Sequence, residues 1–251
     1  MSSRIKRFQR RITRTKEKIK KAVYRWGIIS PFQFELADPE ASEVIFPCNL
    51  GILFCGAFLR KYFDKIMARI ELTFDSVFYN IVDLGRYRFS KKMMSKGIKK
   101  EIYQGNEMEF SEKIHLHPTN KFYQVLIDQR IQNNLDLIIV VTNLPIYSSS
   151  SKDVIFLFGE ANLDHKCCVV SSLILKERFY KRKRNKDLYA LRIQKEVLHE
   201  IGHLILGPEH CENNLCAMKF CTTVEEIDYK YTGLCASCQN KLSRLREIYN
   251  F

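Results

Sequence analysis

The chain has 251 residues, 46% of them apolar, and a formal net charge of +13. That length holds one sizeable domain, or one domain with a tail, and the apolar content is that of a globular protein rather than a disordered one. No run reaches the eighteen or so apolar residues that a membrane-crossing helix needs, so no such helix is expected.

Most of the charge is local. Residues 1–25 carry eleven Lys and Arg against Glu17 alone, a net +10. Ile5, Phe8, Ile12, Ile19, Val23 and Trp26 recur there at helical spacing. A basic amphipathic helix over 5–25 is expected, within an N-terminal extension covering 1–27. It reads first as a solvated arm docking on the core. Weak contact with an anionic membrane or nucleic acid is the alternative, and organelle targeting a further one.

Downstream, a strand is expected at 43–47. The apolar run Asn49–Leu59 comes after it, read as the start of a helix over 52–68, with Cys48 and Cys55 packed in the core. A strand at 70–74, a helix at 118–132 and a strand at 136–142 come next. The serine run Ser148–Ser151 reads as a loop before a strand at 154–158, and Cys167 and Cys168 open a core strand over 167–175. The basic cluster Lys176–Lys186 is expected as a solvated loop, or as a rim attracting acidic substrate segments. Helices at 188–206 and 236–248 close the chain. His115, His117 and His165 have no partner pattern and read as structural or surface residues. Elements of both kinds alternate, so a mixed sheet with helices packed on it, an α+β fold of α/β-like character, is expected.

The richest segment runs from His199 to Cys238. It opens with His199-Glu200-Ile201-Gly202-His203. Residues four apart lie one turn apart on the same helix face, so His199 and His203 can aim two imidazoles at one metal. Glu200 sits slightly round the helix, where it can reach a metal-bound water. Val197, Leu198, Ile201, Leu204 and Ile205 form an apolar face away from both histidines, and Gly207-Pro208 stops the helix. A catalytic zinc takes three protein ligands and keeps one position open. His210 is the natural third ligand.

Five cysteines come next. Cys211 and Cys216 make a Cys-x4-Cys pair, and Cys235 and Cys238 a Cys-x2-Cys pair. Two such pairs separated by a short segment have the spacing of a four-thiolate structural zinc site. Disulfides are the alternative. The odd count of nine cysteines and the lack of a secretory signal favour a reducing compartment, and a cytoplasmic location is expected. Cys221 is left over, as a substitute ligand or a buried free thiol.

These residues resemble the archaemetzincins, zinc-dependent metallopeptidase-like proteins of the metzincin clan. The pattern that carries the resemblance is His-Glu-x-x-His, then Gly, then His210-Cys211-x4-Cys216-x-Met218, then Cys235-x-x-Cys238. It extends upstream through VVTNLPIY, FLFGEA, CCVVSSLIL and LYALRIQKEVLHE, and is good over 137–238 and looser over 43–248. The resemblance implies a metzincin-type catalytic domain over 28–251. Residues 28–206 would form an N-terminal subdomain with the active-site helix, and 207–251 a small subdomain held by zinc. It implies a peptidase with two zinc ions. His199, His203 and His210 would bind the catalytic one, with Glu200 as general base, and Cys211, Cys216, Cys235 and Cys238 the structural one. Met218 would lie in a Met-turn beneath the first zinc. Phe156, Leu157, Phe158, Gly159, Glu160 and Ala161 would supply an edge strand that pairs with an extended peptide or protein substrate. A monomer is expected.

The sequence departs from the metzincin pattern at one place. Three residues, Leu204-Ile205-Leu206, separate His203 from Gly207, where metzincins have two. The extra residue rotates the downstream chain by about 100° and advances it about 1.5 Å. It puts Glu209 where the third histidine would stand. His210 is preferred because Cys211 keeps its register to it, and Glu209 is the alternative ligand. A displaced ligand would suit a non-catalytic zinc-binding protein, and the net charge with paired cysteines would suit a nucleic-acid-binding zinc module. Neither requires a base at Glu200.

Overall fold

A computed structural model describes residues 44–58, 60–89, 96–104, 107–150 and 156–251. The basic segment 1–27, with its expected helix, lies outside the described residues. The main sheet has five strands in the order β2-β1-β5-β8-β7. They are β1 (Cys48–Cys55), β2 (Phe78–Arg86), β5 (Leu137–Thr142), β7 (Gly159–Asn162) and β8 (Cys167–Ser171). All neighbours are parallel except β7, which runs antiparallel to β8 and forms one edge. A second sheet joins the hairpin of β3 (Lys96–Gln104) and β4 (Glu107–Pro118) to the short β6 (Ile146–Tyr147).

Parallel neighbours require a crossover, and α1 (Arg60–Thr73) supplies it between β1 and β2. The central strands are buried on both faces, so their sequences are continuous apolar runs rather than alternating ones. Leu50, Ile52, Phe54, Ile139, Val141, Cys168 and Val170 face α1 and the long helix α3 (Lys186–Leu206). Leu53, Cys55, Ile138, Val140, Cys167 and Val169 face α2 (Asn120–Gln132). Two short pieces complete the chain, α4 (Val224–Tyr229) and α5 (Ala236–Tyr249). Ile227 and Leu242 from these pieces join the core on the α3 side.

Several expectations are corrected. The run after Pro47 is β1, not a helix start, and the expected strand at 43–47 is displaced into it. A short apolar run buried on both sides carries no periodicity that tells strand from helix. Residues 70–73 are the last turn of α1, where Ile70 and Thr73 continue the buried face of Phe63 and Ile66. The strand expected at 154–158 falls partly outside the described residues. Within 156–158 the chain makes an isolated bridge from Leu157 to Ile146. The strand begun at Cys167 ends at Ser171. The hairpin, β2 and α4 have no counterpart among the elements expected from sequence.

Candidate active site

Helix α3 carries the first half of the site. Asn185 caps it, its side chain accepting from the N–H groups of Asp187 and Leu188 at 3.2 and 3.0 Å. Ile193, Val197, Leu198, Ile201 and Ile205 bury its apolar stripe against the sheet. His199, Glu200 and His203 are themselves buried, at 5%, 4% and 6% exposure. The exposed basic loop Lys181–Lys186 precedes α3. His199 lies about 20 Å further along the helix, at roughly 1.5 Å per residue.

The helix ends at Gly207, which adopts φ +97° and donates its N–H to the His203 carbonyl at 3.1 Å. A residue with a Cβ would be strained there. The chain then turns back and brings His210 to the other two histidines. Its ring centroid is 5.2 Å from His199 and 4.7 Å from His203, and Phe220 packs against its edge at 4.8 Å. One ligand-capable atom from each of the three imidazoles lies within 4.8 Å of the others. The Glu209 carboxylate is outside this group and pairs with Lys241 at 3.1 Å.

The hydrogen bonds fix which nitrogen of two rings is free. His199 Nδ1 is 2.9 Å from the Ala217 carbonyl, and His203 Nδ1 is 3.1 Å from the Gly207 carbonyl. A carbonyl only accepts, so each Nδ1 carries the proton. Burial holds both imidazoles neutral. His199 is pushed well below the ordinary histidine value, and His203 down to about 4. Burial and the neighbouring His203 take His210 to about 3. The Nε2 atoms of His199 and His203 therefore face each other with lone pairs, 3.2 Å apart. Two ligand nitrogens on one tetrahedral zinc, each at about 2.05 Å, would stand about 3.3 Å apart. The donor set fits a cation that takes neutral nitrogen.

Glu200 lies against the edge strand. A Cβ built on Gly159 would fall 2.6 Å from Glu200 Cγ and 2.7 Å from Cδ, so only glycine leaves room for the carboxylate. Burial raises the Glu200 pKa well above the usual range, helped by the carboxylates of Glu196 and Glu160 and opposed by Lys230. The edge strand is anchored from its other face. The Tyr123 hydroxyl donates to Glu160 at 2.5 Å. Of the expected edge residues, Gly159, Glu160 and Ala161 lie in β7, while Phe156, Leu157 and Phe158 precede it.

Met218 sits beneath the helix. A Cβ on Gly202 would overlap its sulfur and fall 3.1 Å from its methyl carbon. Beside it, Cys211, Cys216, Cys235 and Cys238 bring their sulfurs within 4.8 Å of one another. Cys211 and Cys235 are 3.5 Å apart, and Cys216 and Cys238 3.7 Å. Thiolates sharing a tetrahedral zinc at about 2.3 Å stand about 3.8 Å apart, whereas a disulfide bond is about 2.05 Å. At these separations neither Cys211 and Cys235 nor Cys216 and Cys238 form a disulfide, which decides against that alternative. Burial opposes the Cys235 thiolate, but the Cys238 N–H and the neighbouring thiols outweigh it and hold its pKa at about 7. Cys221 is apart from this set, buried, with its pKa pushed up to about 12 by burial.

Residues 52–244 match the profile of peptidase family M54. The chain belongs to that family. Membership makes it a zinc metallopeptidase of the archaemetzincin type. The archaemetzincin of Methanocaldococcus jannaschii is 37% identical over 129 residues, 51% of this chain and 69% of that protein. That of Halobacterium salinarum is 46% identical over 87 residues, 34% of this chain and 50% of that protein, so the chain spans about half the length of this relative. The crystal structure of the Methanopyrus kandleri archaemetzincin superposes with a TM-score of 0.59 at 20% identity, covering 79% of this chain and 95% of that one. The Archaeoglobus fulgidus archaemetzincin, crystallised with malonate, gives 0.53 at 24% identity, covering 77% and 99%. At these identities the superpositions establish the fold, a mixed sheet with packed helices. Among the described residues no helix is long and apolar enough to cross a membrane.

Sequence reasoning missed three parts of the site. From sequence, Gly159 reads only as an edge residue and Gly202 carries no signal, though each makes space for a neighbour. The buried charges Arg192, Lys195, Glu196 and Lys230 are also missed. Glu196 lies one helical turn before Glu200 and could have been found by that spacing. Lys230 has no local signal.

Proposed function

We propose that this M54-family protein hydrolyses peptide bonds with Glu200 as general base, at a zinc held by His199, His203 and His210. A second zinc is held by Cys211, Cys216, Cys235 and Cys238. The observation that carries the reading is the pair of Nε2 lone pairs facing each other at 3.2 Å, an arrangement that is repulsive unless a cation lies between them. Zinc bound there would polarise the scissile carbonyl and acidify water. The Glu200 carboxylate accepts the proton of the attacking water and later passes it to the leaving nitrogen. The Ala217 and Gly207 carbonyls keep His199 and His203 in the ligating tautomer. Met218 forms an apolar floor against Gly202. Strand β7 offers its open edge to a substrate peptide in extended form, binding by backbone hydrogen bonds that demand little side-chain specificity.

Metal content and turnover test this together. Wild type should hold two zincs, His210→Ala one, and Glu209→Ala two. Glu200→Gln should hold two and lose on the order of 10²–10⁴-fold in kcat. Full zinc with undiminished hydrolysis in Glu200→Gln would sink the base assignment, and a single zinc in the wild type would sink the two-site reading.

A further inference from the structure

Three residues of α3 upstream of the histidines reach across to the segment 227–230. Arg192 Nε bonds Asp228 at 2.7 Å. Lys195 Nζ donates to the carbonyls of Ile227 and Asp228, both at 2.8 Å. Glu196 pairs with Lys230 at 2.9 Å, with side-chain exposures of 4% and 1%. A buried ion pair gives little net stability compared with well-packed apolar side chains in the same space. What it gives is register, since an ammonium and a carboxylate meet in only a narrow set of placements.

The chain on either side shows what that register controls. Immediately after Lys230, the Tyr231 N–H donates to the Leu215 carbonyl at 2.8 Å, and the Ala217 N–H donates to the Gly233 carbonyl at 2.9 Å. The segment carrying Lys230 is thus laced to the segment carrying Met218. Lys230 Nζ also reaches the Lys219 carbonyl at 3.5 Å. The Ala217 carbonyl, within that lacing, accepts from His199 Nδ1. A continuous path runs from Glu196 on α3, through Lys230 and the laced segments, back to His199 on the same helix.

We propose that Lys230 is a positioning residue for the peptidase site, its buried pair with Glu196 registering the Met218 segment against α3 and so holding the Ala217 carbonyl that orients His199. The role rests on the zinc assignment to His199, His203 and His210. It concerns geometry, so it predicts that fold and function separate. Replacing both partners with apolar side chains removes two buried charges together and should leave the fold intact, held by Arg192 and Lys195, while the register at the Lys230 end, next to the Met218 segment, loosens.

The experiment compares wild type with Lys230→Met, Lys230→Arg and the double variant Lys230→Met/Glu196→Leu. Cobalt substitution distinguishes the two sites, because only the cysteine site gives thiolate charge-transfer bands, and its d–d bands lie at lower energy than those of a site with nitrogen and oxygen ligands. Zinc affinity is measured by competition with a chromophoric chelator, and kcat and KM on a quenched fluorogenic peptide cut from casein. The double variant should keep the wild-type melting temperature and cysteine-site spectrum. Its histidine-site zinc affinity should fall about 10-fold, the lower end for lost outer partners of a ligand, and kcat should fall more than KM changes. Lys230→Arg, which keeps a cation, should recover part of the affinity lost in Lys230→Met. Wild-type zinc affinity and kcat in the double variant would overturn the proposal. A double variant that fails to fold would also overturn it, because the pair would then be a stability element. A wild type binding cobalt only with the thiolate signature would instead overturn the zinc assignment itself.

Discussion

Gly159→Ala isolates the placement of Glu200 without touching Glu200. The new Cβ would stand 2.6 Å from Glu200 Cγ and 2.7 Å from Cδ, with Oε1 nearer still, and ordinary contact begins at 3.4 Å, so one side must retreat by about 1 Å. Strand β7 is the stiffer side. It is paired to β8 along its length, and Glu160 is tied to Tyr123 behind it. Glu200 therefore moves. A misplacement near 1 Å at a reacting group costs on the order of 10²-fold in rate. Stability changes less, because the overpacking cost of about 1–3 kcal/mol is partly offset by about 0.4–1 kcal/mol from stiffening the unfolded chain. The assay is kcat on a fluorogenic peptide with zinc counted in the same preparation. The control is a double-mutant cycle. In the Glu200→Gln background, Gly159→Ala should cost almost nothing further in rate, since both act on the same carboxylate. Turnover within about threefold of wild type, with zinc retained, would refute the claim that Glu200 works from its place against β7.

Three further outcomes are expected. Gly202→Ala should destabilise by about 1–3 kcal/mol through overlap with Met218, seen in urea titrations, and should cost little further in a Met218→Ala background, where the overlapping sulfur is gone. Arg192→Met should cost about 3–5 kcal/mol, because it strands Glu177 and Asp228 without their buried partner. A destabilisation under about 1 kcal/mol would show that the clasp carries little. In chelator-treated protein, stability should fall as pH drops from about 6.5 toward 4. Over that range unfolded histidines bind protons that His203, lowered to about 4, and His210, lowered to about 3, do not bind in the fold. Each contributes up to about 1.4 kcal/mol per pH unit, and a flat melting profile would contradict buried neutral imidazoles.

The sequence was most legible where the chemistry is local. The pattern from His199 to His203 needs only one helix turn to become a site. The helices at 120–132, 186–206 and 236–249 and the strand at 137–142 lie close to where pattern alone put them. Legibility failed where burial erases periodicity, as in Leu50–Phe54, and where the polar strands β2 and β3 lack a simple apolar alternation. In β4 the alternation of Met108, Phe110, Ile114 and Leu116 was present in the sequence and went unread. Legibility failed again at Lys230, 34 residues after its partner Glu196 (230 − 196), because a buried charge looks like a surface charge until its partner is located. The edge strand was half legible. Its position next to β8 follows the order of segments, but its start at Gly159 depends on the close approach of Glu200.

The extra residue between His203 and Gly207 shows how a histidine can be displaced in sequence and still reach the other two. It is absorbed as continued helix, since Ile205 still packs in the core and Leu206 still lies within α3. The rotation this adds is discharged at Gly207, whose positive φ lets the chain reverse while its own carbonyl stays on His203 Nδ1. Beyond the turn, the Cys211 N–H is tied to the Met218 carbonyl at 2.9 Å, and Cys211 itself belongs to the four-sulfur cluster. His210 is therefore positioned from its C-terminal side, by the cysteine unit, and not by its distance from His203. Glu209 occupies the expected sequence position but turns outward to Lys241. On this view the cysteine cluster helps to build the active site as well as hold the end of the chain, because it is the anchor that makes the third imidazole independent of helix length.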